Sequence, residues 1–312
     1  PGKDATMGKE LRGSIVPLVT PFRDGDFDEP AFKEMIEWQI DSGSHGVSIT
    51  GSTGEPSALS IEEREHVIET TVKTVRGRVP VVAGTGTNNF DETVRHTHFA
   101  EKVGADASLM MVPYYNRPSQ DGLYQHFTAV AERVSLPIII YNIPGRTAVN
   151  LEPDTAARII RARSNIVGVK EANKDFEQVT KLFDRCGRDL LVYSGIEALC
   201  FPLLALGGAG YISATGNVMP RQSAELYNLT AAGKWLEARD LHHEMYAMNE
   251  ALFFETNPGP VKYVLSLMGK IQPEIRLPLV LPSAENKRKL RDVAERYGLI
   301  PAGVAVAGNG DH

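Results

Sequence analysis

A (β/α)8 barrel, the TIM-barrel fold, is what this sequence predicts, and three observations predict it. Eight short apolar runs read as strands, each is followed by a helical pattern, and the units recur at roughly 20 to 35 residues. The chain has 312 residues, enough for one such barrel and an appendage. A doubly wound open sheet alternates in the same way, so the count of eight separates the two.

In order, Gly13-Ser-Ile-Val-Pro-Leu-Val-Thr20 is the first strand, and Asp28 to Ile40 a helix with Asp28 as its N-cap. Gly46-Val-Ser-Ile-Thr50 follows, then a glycine-rich loop and a helix from Ser60 to Val75. There Ser60-Ile-Glu-Glu63 makes a capping box. Further strands are read at Val79 to Gly84, Ala107 to Val112, Leu136 to Tyr141, Ile166 to Lys170, Leu190 to Ser194 and Gly210 to Ala214. No strand pattern returns after Ala214. The barrel is therefore assigned to residues 11–222 and a helical domain to 223–300. Three helices are expected there, with breaks around Asn257-Pro-Gly-Pro260 and from Gly269 to Pro282. Residues 1–10 and 301–312 are expected to be disordered tails.

Composition narrows the function classes. Hydrophobic residues make up 42% and charged residues 23%, as in globular proteins. A net charge of -6 argues against nucleic acid or an anionic membrane as the main partner. No apolar run is long enough to span a bilayer. The two cysteines, Cys186 and Cys200, lie in or beside apolar helical patterns, which predicts a reduced, cytoplasmic protein.

Chemistry in such a barrel lies at the carboxyl ends of the strands. Lys170 stands at one of them, after the β-branched run Ile166-Val-Gly-Val169. Burial disfavours the ammonium, and the neutral amine that results is a nucleophile towards carbonyls. A lysine that snorkels to solvent or pairs with Glu171 is the alternative. The other strand ends carry Thr50-Gly-Ser-Thr-Gly-Glu55, Gly84-Thr-Gly-Thr-Asn88, Pro113-Tyr-Tyr-Asn-Arg117, Tyr141-Asn-Ile-Pro-Gly-Arg-Thr147, Ser194-Gly195 and Thr215-Gly-Asn217. The loop Gly51-Ser-Thr-Gly54 can turn N–H groups and two hydroxyls towards a carboxylate, or be an ordinary tight turn. Tyr141 can move a proton beside an amine or carbonyl, and Arg146 offers a fork for a carboxylate. Tyr114-Tyr115, between prolines, reads as a subunit contact. His96 and His98 point to different sides of a helix, so no metal pair is expected.

These motifs, with Ala83-Gly-Thr-Gly86, Val169-Lys-Glu-Ala172 and Asn257-Pro-Gly-Pro-Val-Lys262, give the chain a resemblance that spans Gly13 to Leu299. It resembles the dihydrodipicolinate synthases, within the N-acetylneuraminate lyase family of pyruvate-dependent class I aldolases. The resemblance implies a Schiff base between Lys170 and pyruvate, whose enamine attacks the aldehyde of aspartate semialdehyde in lysine and diaminopimelate biosynthesis. It implies a proton relay of Tyr141, Thr53 and Tyr115, with Tyr115 lent across a dimer interface. Ser52 and Thr53 would hold the pyruvate carboxylate and Arg146 that of the second substrate; Gly195 and Ile212 would also line the substrate site. No metal or organic cofactor is implied, because the iminium is the electron sink, and a homotetramer built as a dimer of dimers is expected.

Two departures stand out. The synthases mostly carry threonine where this chain has Ser52, and an acidic pair where it has Ile196-Glu197. The second bears on the aldehyde, so another pyruvate-dependent aldolase or hydratase-aldolase is the alternative. Ser57, Asn88, Glu92 and Tyr114 match the family's lysine feedback site, but Ile61 and Arg64 stand where sensitive enzymes carry histidines. Weak feedback by lysine is expected.

Overall fold

The computed structural model describes residues 10–302. The expectation of disordered tails falls, apart from Glu10, Pro301 and Ala302, outside the described residues.

Among the described residues ten strands follow one another: β1 (Gly13–Pro17), β2 (Phe22–Arg23), β3 (Asp26–Phe27), β4 (Gly46–Ile49), β5 (Val81–Gly84), β6 (Ala107–Met111), β7 (Ile138–Asn142), β8 (Ile166–Glu171), β9 (Leu191–Ser194) and β10 (Gly210–Tyr211). Eight of them close into a parallel barrel, β1-β4-β5-β6-β7-β8-β9-β10 and back to β1. Each barrel strand is the one read from its apolar run. The pair β2 and β3 is a short antiparallel hairpin that the sequence reading left out. Its turn is Asp24-Gly25, both at positive φ (55° and 86°), the residue pair that a two-residue hairpin favours.

Helices begin where local chemistry dictates. Asp28 Oδ1 accepts from the Ala31 amide at 3.2 Å and starts the helix Glu29–Asp41. Ser60 and Glu63 cap each other's backbone at 3.1 and 2.9 Å, opening the helix Ile61–Val75.

Strand periodicity separates two layers. Ile15, Val82, Leu109, Ile139, Tyr141, Tyr193 and Ile212 pack together inside the barrel. Ile138, Ile140, Val169 and Val192 face outward, beneath the surrounding helices.

Past β10 the chain is helical. The helix Pro220–Ala231 crosses position 222 and packs on β1, so it completes the barrel's outer ring. Among the described residues four helices follow where three were expected: Trp235–Glu244 and Tyr246–Ala251, parted only by Met245, then Gly259–Leu267 and Ala284–Arg296. Met245, Met248, Leu252, Val264, Leu265 and Leu290 pack them against Val19, just past β1, and Met35 of the helix Glu29–Asp41. Among the described residues, no helix is long and apolar enough to cross a membrane.

Candidate active site

A register shift decides where Lys170 points. Ile138 pairs with Ile166, but Ile139 pairs with Gly168, so one extra residue enters β8 at Val167. Without it Lys170 would lie opposite Asn142, whose side chain leaves the barrel. With it, Lys170 lies opposite Tyr141 on one side and Tyr193 on the other, and faces inward. Gly168 is part of the same fit, since a Cβ there would come within 2.4 Å of the Leu191 carbonyl.

Glu171, the next residue, faces the other way. Its carboxylate accepts from Asn142 and Gln178 at 2.9 Å each, in the layer between strand and helix. Pairing between Lys170 and Glu171 is thereby excluded, and Lys170 is only 5% exposed, so it does not snorkel. Burial lowers its pKa to about 8; Glu197 acts against this and Arg146 with it. Nζ lies 4.1 Å from the centre of the Tyr141 ring.

Room for that side chain is made by Gly195. A Cβ at this position would stand 2.9 Å from Lys170 Cε and 2.9 Å from Ala172 Cβ, so only glycine leaves the lysine its path. The Gly195 amide bonds the Glu171 carbonyl at 2.8 Å, and the Ile212 amide bonds the Ser194 carbonyl at 2.9 Å. Ile212 is buried beside Tyr141 and Tyr193.

Tyr141 is itself buried, which pushes its hydroxyl pKa up; Arg146 and a side-chain hydrogen bond with Ser52 oppose the rise. Ser52 and Thr53 sit in a single helical turn, Ser52–Gly54, bracketed by Thr50 and Glu55 at φ 52° and 54°. Two non-glycine residues in the left-handed region are strained, and tertiary contacts must hold them there. Two do so from the C-terminal helical segment. Asn257 Nδ2 donates to Thr53 Oγ1 at 3.0 Å. Lys262 Nζ forms an ion pair with Glu55 Oε1 and donates to the Glu274 carbonyl at 3.0 Å.

Arg146 projects from the short helix Pro144–Thr147, and its guanidinium donates to the Asn257 carbonyl at 3.3 Å. Ser52, Arg146 and Asn257 line a cavity of about 620 Å³ that extends to Arg64, Glu92, His96 and Tyr114. Ser52 also lines a smaller recess against Tyr141. Arg64 is buried, donates to the Gly84 carbonyl at 2.7 Å, and has its pKa lowered to about 10 by burial, so it stays charged at neutral pH.

The structure thus gathers Lys170, Tyr141, Ser52, Thr53, Gly195, Ile212 and Arg146 at one end of the barrel. Tyr115 is not among them. It lies 89% exposed on its loop with φ 72° and does not line the cavity. Sequence reasoning missed the contacts of Asn257 with Thr53 and Arg146 and the burial of Glu197. Glu197 accepts from the Ala214 amide at 2.9 Å and from Ser213 Oγ at 3.2 Å, and burial raises its pKa.

Known proteins are similar to this chain in sequence and fold. The sequence model described as the dihydrodipicolinate synthetase family matches residues 10–297. A 4-hydroxy-tetrahydrodipicolinate synthase of Thermodesulfovibrio yellowstonii is 50% identical over 290 residues, 93% of this chain and 99% of the relative. Among solved structures, the dihydrodipicolinate synthase of Aquifex aeolicus superposes with a TM-score of 0.91 at 44% identity, covering 93% of this chain and 99% of that one. The enzyme of Acinetobacter baumannii, a chloride-inhibited dihydrodipicolinate synthase solved with pyruvate, reaches 0.91 at 40% identity over 93% of this chain and 100% of its own. With the barrel, the inward lysine and these matches together, the chain belongs to the dihydrodipicolinate synthetase family.

Proposed function

We propose that this protein is a 4-hydroxy-tetrahydrodipicolinate synthase, a Schiff-base lyase that condenses pyruvate with L-aspartate 4-semialdehyde. The observation that carries the reading is Lys170: an amine enclosed by the barrel, over the Tyr141 ring, with its pKa lowered to about 8. Its neutral form attacks the keto carbon of pyruvate, and loss of water gives an iminium that relaxes to the enamine. The enamine carbon adds to the aldehyde. The amine of that substrate then displaces Lys170 and closes the ring.

Within this reading Ser52 and Thr53 hold the pyruvate carboxylate, and Gly195 and Ile212 line the space beside it. Tyr141 exchanges protons at the carbinolamine and enamine, passing them along Thr53 to Tyr115 of a neighbouring subunit. The exposure of Tyr115 supports that last role, since an aromatic ring left in water on a loop with prolines at 113 and 118 is suited to a partner. Arg146 holds the carboxylate of the aldehyde. A homotetramer in the cytoplasm completes the proposal.

The direct test is turnover. Pyruvate with L-aspartate semialdehyde should give the cyclic product at a higher kcat/KM than other aldehydes; a preference for an aldehyde without the amine would favour another aldolase. Adduct formation should rise with pH. An amine of pKa about 8 is roughly one-tenth neutral at pH 7 and mostly neutral at pH 9. The rate of iminium formation should therefore climb about tenfold over this interval, read by stopped flow, whereas a flat profile contradicts a lysine nucleophile with that pKa.

Feedback by lysine is proposed to be weak. The buried Arg64 charge stands in the wall of the cavity that a cationic amino acid would have to enter. Lysine at millimolar concentration should leave most of the activity, and Arg64→His should raise sensitivity.

A further inference from the structure

Asn257 opens a segment, Asn257-Pro-Gly-Pro-Val-Lys262, to which the reaction above gives no part. Its side chain is 6% exposed and its two ends are differently employed. Nδ2 donates to Thr53 Oγ1 at 3.0 Å, while Oδ1, also buried, has no hydrogen-bond partner among the described residues. A buried amide oxygen left unpaired is unfavourable, and native proteins rarely keep one without a use. The same residue's backbone carbonyl accepts from the Arg146 guanidinium at 3.3 Å, and both residues line the 620 Å³ cavity together with Ser52. A carboxylate fork and the residue that carries an unpaired acceptor thus line the same cavity.

We propose that Asn257 Oδ1 is the acceptor for the α-ammonium of the second substrate, so that Asn257 and Arg146 together select an α-amino acid aldehyde over one that carries only a carboxylate. Ammonium and carboxylate on one α-carbon are two bonds apart, a spacing that suits an acceptor and a fork on two residues joined through the Asn257 backbone carbonyl. An acceptor with no protein donor favours a substrate that brings one, and an aldehyde lacking the amine leaves the oxygen unpaired. The bond from Nδ2 has a second effect. It occupies an acceptor position of the Thr53 hydroxyl, leaving that group's own proton free to be donated onward. The inference rests on the condensation proposed above and adds the specificity-determining residue.

The experiment compares kcat/KM for L-aspartate semialdehyde and for succinic semialdehyde, which lacks the amine, with pyruvate saturating. Wild type is measured first: failure to use aspartate semialdehyde there refutes the proposed function and not the role of Asn257. Given an active wild type, Asn257→Ala should lower the preference for the amino aldehyde by about tenfold or more. Loss of the Thr53 bond slows both substrates and cancels in the ratio. Asn257→Asp, which keeps an oxygen and adds a negative charge, should hold or raise the preference, and it serves alone if the alanine variant does not fold. An unchanged ratio in Asn257→Ala, or a lowered ratio in Asn257→Asp, overturns the proposal.

Discussion

Replacing Lys170 with methionine should abolish condensation, lowering kcat/KM by on the order of 10⁴-fold or more, while leaving the protein folded and no less stable. The two halves of that result have one cause. Burial lowers the lysine's pKa to about 8, so at pH 7 most of it is protonated in a place that disfavours the charge. Its ammonium stands over the face of Tyr141, and among the described residues no carboxylate forms an ion pair with it. Methionine fills similar space without the charge, so the stability lost with the π contact is offset by the removed desolvation. A residue whose removal destroys activity and spares stability is there for chemistry. A methionine variant with more than a tenth of wild-type activity, or one that unfolds several kcal/mol more easily, would count against the account. Urea unfolding followed by circular dichroism, beside a steady-state assay, reads both halves.

Lys262 gives the opposite outcome for the same substitution. Its pKa is also lowered to about 8 by burial, but Glu55 stands against it as a buried partner. Lys262→Met leaves the Glu55 carboxylate enclosed, with one remaining bond from the Arg276 amide at 3.3 Å. Breaking one side of such a pair costs about 3–5 kcal/mol. The denaturant midpoint should fall accordingly. Adding Glu55→Gln should recover a good part of the loss, because the orphaned charge is then gone, and an additive double variant would contradict the coupling. Activity should fall as well, since Glu55 anchors the strained turn that carries Ser52 and Thr53.

The contrast between two buried lysines marks what the sequence could and could not convey. Lys170 follows a β-branched run at a barrel-strand end, a local pattern, and its importance could be read from neighbouring residues alone. Lys262 sits in an apolar helix with its partner 207 positions away (262 minus 55), and no local pattern encodes that distance. The eight strands and the caps at Asp28 and Ser60 were legible because periodicity and capping act over a few residues. The β2–β3 hairpin was missed although Asp24-Gly25 between Phe22 and Phe27 signals a turn, because two-residue strands fall below the length at which alternation shows. The register shift in β8 had only Gly168 as its signal, a glycine inside an apolar run. The bond from Asn257 to Thr53 spans 204 residues and had none.

Cation-π and ion-pair contacts around Phe22 show why the C-terminal segment matters to the barrel. Lys262 Nζ and the Arg276 guanidinium each stand 4.1 Å from the Phe22 ring centre, and Arg276 also grips Glu63 with both nitrogens at 2.8 and 2.7 Å. The hairpin, the capped helix Ile61–Val75 and the loop Ser52 to Glu55 are thus held by one cluster of charges from the far end of the chain. The helical extension supplies geometry to the loops, and Lys170 is the residue proposed to supply the reaction.

Borohydride reduction in the presence of pyruvate, followed by peptide mass spectrometry, tests the central claim most directly. The account predicts a reduced pyruvyl adduct on the peptide holding Lys170, formed faster at pH 9 than at pH 7 and absent from the methionine variant. An adduct on Lys262 or any other lysine, or no adduct while condensation proceeds, would contradict it.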